Sequence, residues 1–208
     1  MIDHRTTPDE KKEIAIILSR SAYEDNGQIE NFQMTHSAIL MSLLAANSPV
    51  DIWRDAVRAA IDRGAERFLL IGHGRPAVSL GGFSGVVIID QINVSGRNPL
   101  VGLNDERFGP RFPDMSGLYD PELTKKVRAE SEKTGLSLLP GVLLIPANTG
   151  KYSEIEQRLV TQNQVAVYSQ DVFAGAIAAK HAGRQCAGII LWSEIKPEVL
   201  VQIIAGLN

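Results

Sequence analysis

Apolar and polar positions follow two rhythms along this chain. One is a set of short apolar runs: IAIIL (14–18), FLLIG (68–72), GVVIID (85–90), GVLLIP (141–146), VAVYS (165–169) and CAGIILW (186–192). Runs of strand length without polar alternation predict strands buried on both faces. The other rhythm is helical. After Pro49, the residues Ile52, Trp53, Ala56, Val57, Ala60 and Ile61 recur on one face, with Arg54, Asp55, Arg58 and Asp62 opposite, and Gly64 follows as a stop. Residues 34–46 also read as a helix. Asp120 and Pro121 predict the N-cap and first turn of a helix running to about Thr134 and closed by Gly135. Ser153 with Glu156 three residues on is a capping box opening SEIEQRLVTQ. DVFAGAIAAKHAG predicts a helix rich in small residues, capped by Asp171 and stopped by Gly183, and KPEVLVQIIAGL a short last helix. The resulting order is strand, helix, strand, strand, loop, then three alternations of helix and strand and a last helix. It predicts one three-layer α/β domain over residues 1–208, its mixed, mostly parallel sheet largely buried between helices.

Composition adds exclusions. The chain has 208 residues, 44% of them hydrophobic, enough for a full-sized core. A net charge of −3 gives no electrostatic case for nucleic acid or an anionic membrane. No apolar run approaches the roughly 20 residues needed to span a bilayer. The opening MIDHRTTPDEKKE is polar, unlike a signal peptide, so a cytoplasmic protein is expected. Cys186 is the one cysteine and sits in an apolar strand, which predicts an inert buried thiol. No metal-ligand spacing is present, and no resident cofactor is expected.

One stretch fits neither rhythm. Residues 98–115, NPLVGLNDERFGPRFPDM, are dense in charge, proline and glycine, and irregular segments of this length are usually functional or disordered. Extended to DQINVSGRNPLVGLNDERFGPRFPDMSGLYDPEL (90–123), the stretch closely resembles the signature block of the trimeric, low-molecular-mass purine nucleoside phosphorylases. That family shows a DHINL-type run, then NPL, NDERFG, RFPDMS and YD. AAKHAGRQCAGIIL (178–191) resembles the family's AARHAG helix-to-strand segment. The resemblance implies a phosphorylase/hydrolase-like fold and a divergent, shortened member. The implied reaction is cleavage of purine nucleosides by phosphate, with phosphate as co-substrate if the chain is active.

Such chemistry needs cations and backbone N–H groups around a phosphate dianion, and hydrogen-bond partners at the purine edge. Several family motifs depart here. The GSGLG-type phosphate loop after the first strand corresponds to Ser19, Arg20, Ser21 and Ala22, without glycine. The family's Arg-x-His pair falls on LMSLLAANS (40–48), which has neither. The NAAGG loop appears as GHGRPAVSLGG (72–82), where Pro76 removes an N–H donor. The GPSYET-like segment corresponds to ANTGKYSEIE (147–156): Tyr152 takes the aromatic position and Glu154 is the nearest carboxylate. The MST run becomes Gln170 and Asp171, an aspartate that would repel phosphate. The purine-contacting Asn falls on Glu194, and a late His near the ribose on Lys196. The departures imply weak or absent phosphorolysis.

A rebuilt anion site is expected to use Arg20, Ser21, His73 and Arg75 at strand ends, where ligands gather in open α/β sheets. Nucleoside contacts are expected from Tyr152, Gln170 and Glu194; Glu154 and Glu194 are the candidate catalytic carboxylates. Arg97, Asp105, Glu106, Arg107, Arg111 and Asp114 read as ion pairs and hydrogen bonds that shape the irregular loop. His181 reads as a packed histidine and Trp192 as core or pocket wall; His4 and His36 have no partner pattern. By resemblance, Phe112 marks a subunit boundary, implying a homo-oligomer, a trimer by family, or association with a complete paralogue. Three functions stay open: a degenerate family member retaining nucleoside or small-ligand binding, an active phosphorylase or hydrolase with a rewired site, and a non-catalytic oligomer-forming subunit.

Overall fold

The protein's structure is a computed structural model that describes residues 14–19, 40–44, 49–148 and 152–207. Among these residues eight strands form one sheet. They are β1 (Ile14–Ser19), β2 (Leu40–Leu44), β3 (Arg67–His73), β4 (Arg75–Pro76), β5 (Gly85–Asn93), β6 (Leu138–Ile145), β7 (Val165–Tyr168) and β8 (Gln185–Leu191). Their spatial order is β2-β1-β3-β8-β5-β6-β7-β4. All neighbours run parallel except β5 with β8 and β4 with β7. The expected mixed, mostly parallel sheet is therefore present.

Five helices, α1 (Val50–Ile61), α2 (Pro121–Lys133), α3 (Glu154–Gln162), α4 (Phe173–His181) and α5 (Pro197–Leu207), complete the described elements. Strand alternation decides where they pack, because successive side chains point to opposite faces. Ala15, Ile17, Phe68, Leu70, Val86 and Ile88 join α1 and α4 in one core. Ile14, Ile16, Leu18, Leu69, Ile71 and Val87 join α2 and α5 in the other. Helices on both faces of one sheet make the three layers. α1 and α4 approach closely at Gly175, where an added Cβ would stand 3.1 Å from Trp53 Cε3.

The caps explain several boundaries. Asp120 accepts from the Leu123 amide at 2.8 Å, Pro121 opens α2, and Gly135 follows at φ 81. The Ser153–Glu156 capping box opens α3 as expected. Gly183 ends α4 at φ 67, a left-handed conformation that glycine adopts without strain.

Three expectations are corrected. Leu40–Leu44 is not helical; it is strand β2, pairing in parallel with β1 from Ala15↔Leu40 to Ser19↔Leu44. Leucine and methionine favour helix locally, but the open edge of β1 supplies a backbone partner that overrides this preference. The rest of 34–46 lies outside the described residues. The glycine-rich turn after β3 carries β4, in which Arg75 pairs with Tyr168 and Pro76 with Val167. Asp171 does not cap α4. The N-cap is Val172 at φ 63, with no side-chain cap, and the Asp171 carboxylate turns towards β3 instead.

The irregular segment takes one shape through polar contacts, as the charge pattern predicts. Arg107 pairs with Asp105 at 2.6 Å, Arg111 donates to the Gly102 carbonyl at 2.8 Å, and Asn104 donates to the Gly109 carbonyl at 3.0 Å. Asp114 accepts from the Ser116 amide at 2.8 Å, and Arg97 lies over the Phe173 ring. Phe108 is buried under the guanidinium of Arg58, 4.7 Å from its ring centroid. The buried His181 ring nitrogen Nε2 meets the Pro110 carbonyl oxygen at 3.0 Å, so this histidine is packed, as expected. Cys186 is buried in β8; burial, then the charge of Asp120, pushes its thiol up to about 12, which makes it inert. No helix among the described residues is long and apolar enough to cross a membrane.

Candidate functional site

A cavity of about 270 Å³ opens at the carboxyl ends of β3, β6 and β7. It is lined by His73, Gly74, Arg75, Pro146, Tyr152, Tyr168, Ser169 and Gln170. Glycine is needed where β3 leaves the sheet: a Cβ on Gly74 would stand 2.5 Å from both the Tyr168 carbonyl oxygen and Ile190 Cγ2. The next residue, Arg75, then pairs against Tyr168 and carries its side chain to the cavity mouth.

The aromatic wall is a stack. Tyr152 and Tyr168 lie with ring centroids 3.7 Å apart and planes 11° from parallel. Arg75 Nη2 donates to the Tyr152 hydroxyl at 2.8 Å. Burial raises the Tyr152 phenol above its usual value against the opposing charge and hydrogen bond of Arg75. Both phenols therefore stay protonated at neutral pH, since Tyr168 is raised too, chiefly by burial.

Behind the cavity, Asp171 and Ser169 bracket the His73 backbone. The His73 amide donates to Asp171 Oδ2 at 3.0 Å, and Ser169 Oγ donates to the His73 carbonyl at 2.6 Å. Ser169 Oγ also accepts from the Asp171 amide at 3.0 Å. Asp171 is 3% exposed, and its Oδ1 has no hydrogen-bond partner among the described residues. Burial pushes its carboxyl above the usual range, against the pull of the His73 amide, the Ser19 hydroxyl and the His73 charge.

Of the residues singled out in the sequence, His73, Arg75, Tyr152 and Gln170 share this cavity. Arg20 and Ser21, and also His4 and His36, lie outside the described residues. Glu154 is not in the cavity: it is exposed on α3 and pairs with Arg158 at 2.6 Å, the expected geometry of an i,i+4 pair. Glu194 is exposed and does not line the cavity either, because the chain past β8 turns away towards α5. Trp192 is half-buried and donates its indole N–H to the Phe83 carbonyl at 3.1 Å, which makes it structural. Phe112 is 88% exposed on the irregular loop, away from the cavity lining.

Sequence reasoning missed Tyr168, Ser169 and the Asp171–His73 bond. The signal was the run YSQD at the end of β7, whose polar residues had to land at a strand end. The buried carboxylate of the Tyr152 segment is Glu156, not Glu154. It accepts from the Ala147 amide at 3.0 Å, the Ser153 amide at 2.6 Å and the Ser153 hydroxyl at 2.8 Å. Burial raises its carboxyl, but these three donors outweigh that and hold it below its ordinary value. Such a saturated carboxylate is a structural clasp. Among the described residues no cluster of three or more His, Cys, Asp or Glu could hold a metal ion.

The cavity thus offers an imidazole, a guanidinium, two phenols, a hydroxyl and an amide, with no carboxylate among its lining residues. Comparison with known proteins identifies its origin. The model of the phosphorylase superfamily matches residues 83–200, more than half of the chain. The chain belongs to the phosphorylase superfamily. Within this superfamily its sequence relatives include purine nucleoside phosphorylase 1 of Geobacillus stearothermophilus, 34% identical over 119 residues, which cover 56% of this chain and 43% of that protein. Purine nucleoside phosphorylase of Anopheles gambiae is 32% identical over 49% of this chain and 30% of its own length. The matched stretch is under half the length of either relative. The fold extends further than the sequence similarity. The Schistosoma mansoni purine nucleoside phosphorylase in complex with acetate superposes with a TM-score of 0.70 at 20% identity, covering 94% of this chain and 88% of that one. For this superfamily member, Pro146, Tyr152, Tyr168, Ser169 and Gln170 fall inside the matched segment, whereas His73, Gly74 and Arg75 precede it.

Proposed function

We propose that this chain is a purine nucleoside phosphorylase-family protein with degenerate phosphate- and purine-binding loops. It is weak or inactive in phosphorolysis and retains binding of a purine nucleoside or related small molecule at the His73–Tyr152 cavity. The observation that carries this reading is the Asp171–His73 hydrogen bond. A phosphate site at the end of β3 needs free amide donors and cations. Here the His73 amide is given to a buried carboxylate, Arg75 is bonded to Tyr152, and an ionised Asp171 would repel a phosphate dianion. The stacked tyrosines and Gln170 remain as contacts for a heterocycle. No cofactor enters this reading, and phosphate would be a co-substrate only in an active form.

Titration calorimetry with inosine and guanosine, run beside phosphate-dependent base release, tests it. Binding without turnover is the expected result. Robust phosphate-dependent turnover, lost in Arg75→Ala, would establish instead a rewired phosphorylase.

A second reading is favoured by the loop surface. Leu103 is fully exposed, Phe112 is 88% exposed and Val101 is 77% exposed, all on the irregular segment. Exposed apolar clusters mark contact sites. On this reading the chain is an oligomer-forming subunit, a homotrimer or a partner of a complete paralogue, with Phe112 at the boundary. Co-purification and the activity of mixed assemblies carrying Phe112→Ala test it; unchanged assembly and activity would refute it.

A further inference from the structure

Asp171 sits where two strands of the sheet end together. β1 and β3 run side by side and parallel up to Leu18↔Ile71, so Ser19 and His73 finish at the same edge. Asp171 reaches that edge from the turn between β7 and α4. The His73 amide donates to its Oδ2 at 3.0 Å, and the Ser19 hydroxyl hydrogen-bonds the same carboxyl. Donors from neighbouring strand ends that converge on one point make a seat for an anion.

Three observations show that the chain is shaped to put its own carboxylate in this seat. First, a Cβ on Gly72 would stand 2.5 Å from Asp171 Cβ, so the side chain reaches the donors only because β3 carries none at that point. Second, the turn is held in a strained shape. Val172 takes φ 63, a conformation that β-branched residues avoid and that persists only where the surroundings over-determine it. The Ser169 hydroxyl supplies that restraint, since it accepts from the Asp171 amide at 3.0 Å and donates to the His73 carbonyl at 2.6 Å. Third, the fit is incomplete. Glu156, a structural clasp, receives three donors on its two oxygens. Asp171 is as deeply buried, yet its Oδ1 has no hydrogen-bond partner among the described residues. A buried acceptor left unpaired is costly, so this carboxyl stands in a seat that it does not saturate.

We propose that the ends of β1 and β3 form an oxyanion pocket that this chain fills with its own Asp171 carboxylate, and that the emptied pocket takes a free carboxylate of the size of formate. The inference rests on the reading of a β3 end closed to phosphate, and it names what closes it. The pocket lies behind His73 and Ser169, which line the larger cavity. The resident carboxylate therefore excludes an external oxyanion without taking the space of a heterocycle. The ligand class follows from the geometry. Asp171→Ala deletes one carboxyl group, and formate restores that group to the same amide and hydroxyl donors. Acetate carries a methyl that would overlap the alanine Cβ, and a phosphate ester exceeds the space that one carboxyl leaves.

Sodium formate titrations of the native, Asp171→Ala and Asp171→Asn chains at constant ionic strength test this, followed by thermal melts and the His73 amide chemical shift. Asp171→Ala is expected to melt below the native chain and to regain stability saturably in formate. Its dissociation constant should be roughly 1–30 mM, since a three-atom ligand binds no tighter than about 0.5 mM. Formate should also return the His73 amide shift towards its native position. The native and Asp171→Asn chains, whose pocket is filled, should show neither response. Acetate should rescue Asp171→Ala at least about fivefold more weakly, and chloride without saturation. Where Asp171→Ala does not fold alone, its refolding from urea is compared with and without formate. Recovery confined to formate supports the proposal; recovery in neither, where Asp171→Asn recovers, overturns it. An Asp171→Ala chain indifferent to formate, an equal response of the native chain, or equal rescue by acetate or chloride also overturns it. Phosphate-dependent turnover of inosine by the native chain would overturn the proposed function, whereas the formate titration decides this inference by itself.

Discussion

Gly109 lies against the C-terminal turn of α4 so closely that a side chain there would overlap the carbonyl oxygen of His181. The contact docks the irregular segment on the helix, and the His181 ring reaches back to Pro110 across it. The obstacle is backbone, so it cannot rotate away. Gly109→Ala is therefore expected to destabilise the chain by about 1–3 kcal/mol, as overpacking does. A urea melt checks this, and an unchanged midpoint would show that the loop adjusts freely.

Asp171 carries a stability penalty that depends on pH. Its folded pKa is raised, so between the usual carboxylate range and the raised value the folded state holds more protons than the unfolded one. Stability then falls as pH rises through that window. Asp171→Asn keeps an acceptor for the His73 amide and removes the charge. The variant should melt above the native chain at neutral pH, with the difference closing towards about pH 4. A melting difference of opposite sign, or one independent of pH, would contradict the assignment.

Glu156 behaves in the opposite sense. Its folded pKa is lowered, so its clasp contributes fully above the usual carboxylate range and is lost as pH falls through the folded value. Glu156→Ala removes the capping box and the tie to Ala147, at an expected cost of about 1–2 kcal/mol at neutral pH. Thermal melts from neutral to acidic pH should show native and variant converging as the native carboxyl is protonated.

Tyr152→Ala removes one half of the tyrosine stack and the hydroxyl that holds Arg75. On the proposed function, inosine binding should weaken about tenfold. Tyr152→Phe, which keeps the stack, should retain most of the affinity. Equal losses in both variants would place the binding energy in the phenol.

Much of the fold was legible because its signals are local. Asp120, Pro121 and the Ser153–Glu156 box announce helix starts through contacts made within three residues. The buried strands announce themselves by the absence of polar residues. What failed was non-local. Leu40–Leu44 becomes a strand because of β1, whose edge lies more than twenty residues back in the chain. Asp171 looked like a cap because an aspartate before a helix usually is one; its partner, the His73 amide, is 98 residues away in sequence. In the candidate site, the strand-end rule located His73 and Arg75, and the family resemblance located Tyr152 and Gln170. Neither could tell Glu154 from Glu156, which differ only in which side of α3 they occupy.

The two-residue strand β4 also governs the fate of the sheet's outer margin. Beyond it lies β7, whose Val165–Tyr168 is buried throughout and would make an adhesive template for any extended segment of another molecule. β4 occupies that margin with a strand too short to extend, and Pro76 has no N–H to offer a newcomer. The turn that shapes the cavity mouth therefore also guards the sheet against edge-to-edge aggregation on this side.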